Sequence, residues 1–96
     1  MDLNKIVREK RDKILEQAAR HGARNVRIFG SVARNEARDT SDVDFLVDME
    51  SGRTLLDLIG LNLDLKKLLR CEVDVVTENG VSPFLRKRIL REAVPL

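Results

Sequence analysis

The 96-residue chain contains no tyrosine, no tryptophan and only three phenylalanines. Any stacking of nucleic-acid bases would fall to Phe29, Phe45 and Phe84, too few for a dedicated single-strand binder. Cys71 is the sole cysteine, so no internal disulfide can form and nothing points to an oxidising compartment. His21 is the only histidine, which leaves a zinc site without its usual donors. No apolar run approaches the roughly 18 residues that span a bilayer. The N-terminal "MDLNKIVREKRDKILEQ" also lacks the unbroken apolar core of a signal peptide. A cytoplasmic location and no membrane partner are the resulting expectations.

What is present is an ordinary soluble balance, 43% apolar and 35% charged. The length suits one domain over residues 1–96 with a small core. The net charge of +2 comes from 18 basic residues scattered among 16 acidic ones. That pattern disfavours nucleic acid as a partner.

Apolar residues at helical spacing (Leu3, Ile6, Val7, Ile14, Leu15, Ala18) predict a helix over 3–20, stopped at His21-Gly22. "NVRIFG" alternates and reads as a strand ending at Gly30. Residues 31–41 are polar, with Ser31 able to cap a short helical turn and Thr40-Ser41 closing a loop. "DVDFLVDM" (residues 42–49) is a second strand. Thr54 to Leu69 reads as a helix, although "LNLDL" within it alternates like a strand. "EVDVVT" (residues 72–77) is a third strand, and Ser82-Pro83 opens a last helix to about Glu92. The fold class expected is α/β (α+β), a three-stranded mixed sheet with about four flanking helices. Strands one and two can pair antiparallel, and strands two and three are joined by a right-handed parallel crossover.

The stretch "GSVARNEARDTSDVDF" concentrates the chemistry. Alternation points Asp42 and Asp44 to one face and Val43, Phe45 and Val47 to the other. With these strand neighbours, Gly30-Ser31 meets the start of strand two, and Asp74 can join the pair from strand three. Three carboxylates with no balancing Lys or His repel one another, and divalent cations resolve the repulsion. All-oxygen ligation suits Mg²⁺ or Mn²⁺. Two such ions, about 3.5 to 4 Å apart, would orient an attacking oxygen and a leaving pyrophosphate. Gly30 permits close backbone approach, and Ser31 can receive a phosphate. Asp48 has the right parity but lies roughly 13 Å farther along the strand at about 3.3 Å per residue, too far for the same ions. Asp39 reads as a solvated loop residue. Arg34 and Arg38 read equally as phosphate contacts or as loop solvation.

This stretch, with "IFGSVAR", "SDVDFLV" and the later "VDVV", resembles the signature of the DNA polymerase beta-like nucleotidyltransferase superfamily. It is most similar to the minimal nucleotidyltransferase branch, and the resemblance covers Val26 to Leu96 with no departure in the core motif. It implies that Asp42, Asp44 and Asp74 are catalytic metal ligands for two Mg²⁺ (or Mn²⁺) ions. Asp74 would also help deprotonate the acceptor hydroxyl. Gly30 and Ser31 would hold the terminal phosphates of ATP, and Arg34 would neutralise phosphate charge.

Larger relatives add an acceptor-binding domain, whereas this chain is expected to stop after its fourth helix. Stand-alone members resemble antitoxins paired with a HEPN-type ribonuclease toxin, transferring AMP to a toxin tyrosine. Lacking tyrosine itself, the chain would need that residue on a different protein; whether it forms a homo- or a hetero-oligomer stays open. Two alternatives stay open. One is an antitoxin that masks its partner without catalysis. The other is transfer to a small molecule or RNA end with help from a second subunit.

The helix over 55–69 carries apolar residues on more than one face, including Leu56, Leu61 and Leu63. These are core or a protein interface, and the lack of an acceptor domain favours the interface. His21 reads as a helix-end residue, Cys71 as a small buried hydrophobe, and "RKRILRE" (residues 86–92) as a solvated basic face.

Overall fold

The computed structural model describes residues 2–38 and 41–96, so Asp39 and Thr40 lie outside the described residues. The N-terminal apolar stripe forms two helices, α1 (Leu3–Glu9) and α2 (Arg11–Arg20), rather than one. The stripe has no apolar residue between Val7 and Ile14, so nothing draws Lys10 to the core. Lys10 leaves helical geometry there and donates from Nζ to the Leu68 carbonyl at 2.9 Å. The Asp2 carboxylate caps α1 by accepting from the Asn4 and Lys5 amides.

Strand β1 (Ala23–Phe29) leads through the short helix α3 (Gly30–Ala33) and a loop into β2 (Val43–Met49). Helix α4 (Leu55–Leu69) then crosses to β3 (Val73–Val76). A 3₁₀ turn (Glu78–Gly80), α5 (Pro83–Glu92) and a two-residue strand β4 (Val94–Pro95) complete the order. The sheet runs β3-β2-β1-β4, with β2 antiparallel to β1 and parallel to β3. The expected three-stranded mixed sheet is therefore present with one addition. β4 pairs along the outer edge of β1, Val94 opposite Ile28. A strand that short has no alternation to read. Among the described residues no helix is long and apolar enough to cross a membrane.

One irregularity sets the register. Ala23 and Arg24 pair with Met49 and Asp48, but Arg27 pairs with Leu46, so β1 holds one extra residue. The bulge centres on Asn25, whose φ of 50° lies in the left-handed region that asparagine tolerates better than most residues. Its side chain donates to Asp48 Oδ2 at 2.9 Å, and Arg27 donates to Asp48 Oδ1 at 3.0 Å. Asp48 thus has a structural occupation of its own.

The core lies on one face of the sheet, where Val43, Phe45 and Val47 meet α1, α2 and α4. Leu46, also fully buried, alternates to the other face, the side of Asp44. Thr54 and Asp57 form a capping box that starts α4. The "LNLDL" segment is helical, and its leucines divide by face. Leu61 is 0% exposed, whereas Leu56 and Leu63 are 78% and 55% exposed. His21 ends α2, as its neighbour Gly22 foreshadowed, with Nε2 lying 2.6 Å from Asp64 Oδ2 on α4.

Two stability measurements check this account. Urea unfolding of Asn25→Val should show a loss of about 1–3 kcal/mol, because a β-branched residue cannot hold that φ without strain; Asn25→Gly should lose much less. Leu61→Ala should cost about 2–5 kcal/mol. Leu56→Ser and Leu63→Ser should each stay within about 0.5 kcal/mol of the parent.

Candidate active site

The bulge in β1 places Phe29 opposite Asp44. The next residue, Gly30, turns the chain into α3 with φ +74°. A Cβ at this position would overlap Asp44 Oδ2, so glycine is required both by the backbone conformation and by the carboxylate against it. On the other side of β2, the parallel register sets Asp74 beside Asp44. Cβ directions alternate along strands, so paired residues in register share a face. Asp42 immediately precedes β2, two residues from Asp44. Gly30, Asp42, Asp44 and Asp74 are therefore brought together, and Ser31 follows Gly30 in the first turn of α3.

Asp44 is half-buried, while Asp42 and Asp74 are exposed. Burial, then the charges of Asp74 and Asp42, push the Asp44 carboxyl up to about 6. Arg34 pulls the other way, and Glu92 adds to the rise. The Arg34 guanidinium is held by two carboxylates. Nε donates to Glu36 Oε2 at 3.0 Å, and a terminal nitrogen donates to Glu92 Oε1 at 2.6 Å. These hydrogen bonds raise the Arg34 pKa further above its ordinary value.

Sequence reading missed Glu92 and Glu36. Glu36 is two residues from Arg34 in an all-polar loop. Glu92 offered one signal, being the only acid on a helix with four basic residues. Arg38 uses its backbone amide to bond Ser41 Oγ at 2.8 Å, closing the loop. Burial, Asp42 and Glu72 push the Cys71 thiol up, which suppresses thiolate and nucleophilic character.

The donors are all carboxylate oxygens, suited to Mg²⁺ or Mn²⁺ and not to zinc. Among the described residues no three or more His, Cys, Asp or Glu side chains form a preassembled metal cage. Mg²⁺ does not need one, since it binds one or two carboxylates and completes its shell with water and phosphate. The repulsion at Asp44 has the sign that such a cation relieves. The residues fit the ion.

The nucleotidyltransferase domain family matches residues 5–96 of the chain. The chain belongs to that family. It is a nucleotidyltransferase. A Methanocaldococcus jannaschii relative, provisionally named as a protein adenylyltransferase, is 47% identical over 98% of this chain and 97% of its own. Protein adenylyltransferase MntA of Thermococcus cleftensis is 42% identical over 82% of this chain and 80% of its own. A solved structure provisionally described as a minimal nucleotidyltransferase superposes with TM-score 0.88 at 55% identity, covering 100% of this chain and 97% of that one. A crystal structure of a toxin-antitoxin with AMP-PNP shares the nucleotidyltransferase fold at TM-score 0.75 and 20% identity, covering 88% of this chain and 69% of that one.

The raised Asp44 pKa has a measurable consequence for this nucleotidyltransferase. The folded pKa lies above the ordinary carboxyl value of 3.8. Ionising Asp44 therefore costs stability, an effect absent below about 3.8 and complete above about 6. Asp44→Asn should be more stable than the parent in metal-free urea titrations at pH 8. The advantage should vanish at pH 3.5.

Proposed function

We propose that the chain transfers AMP from ATP to a hydroxyl of a partner protein. The acceptor is a tyrosine on a HEPN-type ribonuclease toxin that the modification silences. The observation carrying this reading is the register that lines Asp44 up with Asp74 while Gly30 rests on Asp44. It is supported by the adenylyltransferase names of relatives such as MntA. It is also supported by the toxin-antitoxin structures that share the fold. The chain has no tyrosine, so the modified residue lies on another chain.

In this reading Asp42 and Asp44, with Asp74, hold two Mg²⁺ ions, for which Mn²⁺ can substitute. Bound there, the ions would supply positive charge to the triphosphate and to the pyrophosphate leaving group. Gly30 and Ser31 accommodate the terminal phosphates, with no side chain at position 30 to obstruct them. Arg34 exchanges a glutamate for a phosphate oxygen and neutralises its charge. Asp74, exposed and adjacent to Asp44, accepts the proton of the acceptor hydroxyl. The hydroxyl oxygen forms a bond to the α-phosphorus as the bond to pyrophosphate breaks.

A second reading, neutralisation by masking alone, is favoured by the exposed leucines of α4. Leu55, Leu56, Ile59 and Leu63 form an apolar strip that a partner could cover.

Incubation with ATP labelled on the α-phosphorus, Mg²⁺ and the product of the neighbouring gene tests both readings. The partner should gain label and one AMP in mass. Asp44→Asn should reduce the rate by at least about 100-fold. Equal labelling by that variant ends the catalytic assignment. Full neutralisation by a chain lacking all three aspartates establishes masking instead.

A further inference from the structure

Helix α5 packs against α3 and brings Glu92 near enough to Asp44 for its charge to be felt there, and of its ten residues only Ile89 is buried. Its opposite side is unusual. Phe84, Lys87 and Arg91 fall at i, i+3 and i+7, with Arg88 beside them, so the four form one outward strip. Phe84 is 90% exposed, and Leu85 at its flank is 46% exposed. Lys87 and Arg91 meet no carboxylate among the described residues. Among the described residues Arg88 reaches only Glu92, at 3.8 Å.

This open face, built by the one helix, runs from Pro83 and Phe84 through Lys87 and Arg88 to Arg91 and Glu92. Its last member, Glu92, is the residue that holds Arg34 at 2.6 Å and adds to the charge felt by Asp44. The exposed face and the candidate site therefore meet at one side chain. A basic helix facing water needs no explanation, but a nearly bare phenylalanine among three cations does. Phenylalanine in water is unfavourable by its apolar area, and a partner that covers it recovers that term.

We propose that this face of α5 docks the acceptor protein through an acidic segment bearing a large apolar residue. The apolar residue covers Phe84 and Leu85, and the carboxylates pair with Lys87, Arg88 and Arg91. The face lies beside Glu92 and Arg34, so a segment seated on it brings a neighbouring hydroxyl toward the Asp44 carboxylate. The inference rests on the protein-modifying reading above for the identity of the occupant. Nucleic acid fits the surface less well. Three cations on about two helical turns would neutralise few phosphates, and one aromatic offers a single stacking platform. A desolvated aromatic ringed by charge is the anatomy of a protein contact.

The test uses fluorescent synthetic peptides in anisotropy titrations against the full chain at about 0.15 M salt, where distant charges are screened. One peptide alternates glutamate and leucine around a single tyrosine; its twin replaces glutamate with lysine. A single-stranded oligonucleotide is the third probe. The glutamate peptide should bind at least about tenfold more tightly than the lysine peptide. The double variant Lys87→Glu/Arg91→Glu should reverse that preference, and Phe84→Ser should weaken both peptides, with circular dichroism confirming that each variant folds.

Equal binding of the two peptides overturns the proposal, as does tighter binding of the oligonucleotide lost in the double variant. Transfer of labelled AMP to the tyrosine is read in parallel. Label without peptide discrimination removes the docking surface and leaves the transferase reading intact. Discrimination without label does the reverse.

Discussion

Gly30 presses an unsubstituted α-carbon against the Asp44 carboxylate, and much of the site's architecture serves to keep that contact. The contact exists because β1 ends opposite Asp44 and not one residue earlier. The extra residue at Asn25 is what moves the register by that one step. Asp48 steadies the bulge by accepting from both Asn25 and Arg27. A carboxylate outside the candidate site thus fixes the position of those within it.

The electrostatics follow from the same geometry. Asp44 is half-buried between a glycine turn and a neighbouring strand whose aligned residue is also an aspartate. Burial and like charge both raise its pKa, and Arg34 is the cation that works against them. Arg34 is itself shared by Glu36 and Glu92. In the free protein Arg34 is therefore held in a glutamate clasp, which the proposed phosphate contact would have to open. Phosphate oxygens and glutamate oxygens compete for the same planar donors.

Much of this was legible from the letters because strand alternation is rigid. Two aspartates separated by Val43 must share a face, and an apolar third strand with one interior Asp74 had few places to go. The helix that begins at Thr54 was readable from its length and basic end despite the alternating "LNLDL". Its exposed Leu56 and Leu63 fit the interface reading, while Leu61 went to the core; helical phase against the sheet decides between them. The bulge was not legible, since Asn25 in "NVRIFG" looks like any strand residue until its partner strand is known. Glu92 was hidden for a different reason. Its significance comes from Arg34, 58 positions away in the chain. The break at Lys10 carried no proline or glycine to announce it.

The last strand changes how the glutamate clasp can open. Glu92 is followed at once by β4, which is hydrogen-bonded to the very strand that delivers Gly30. At its other end, α5 is fastened by Arg86 Nε to the Glu78 carbonyl at 3.0 Å. Both ends of the helix are thus attached to the body of the fold, which disfavours its swinging aside as a lid. Under the proposed function, admitting a nucleotide would then need only rotation of two side chains about their own bonds, a motion of picoseconds to nanoseconds rather than of microseconds.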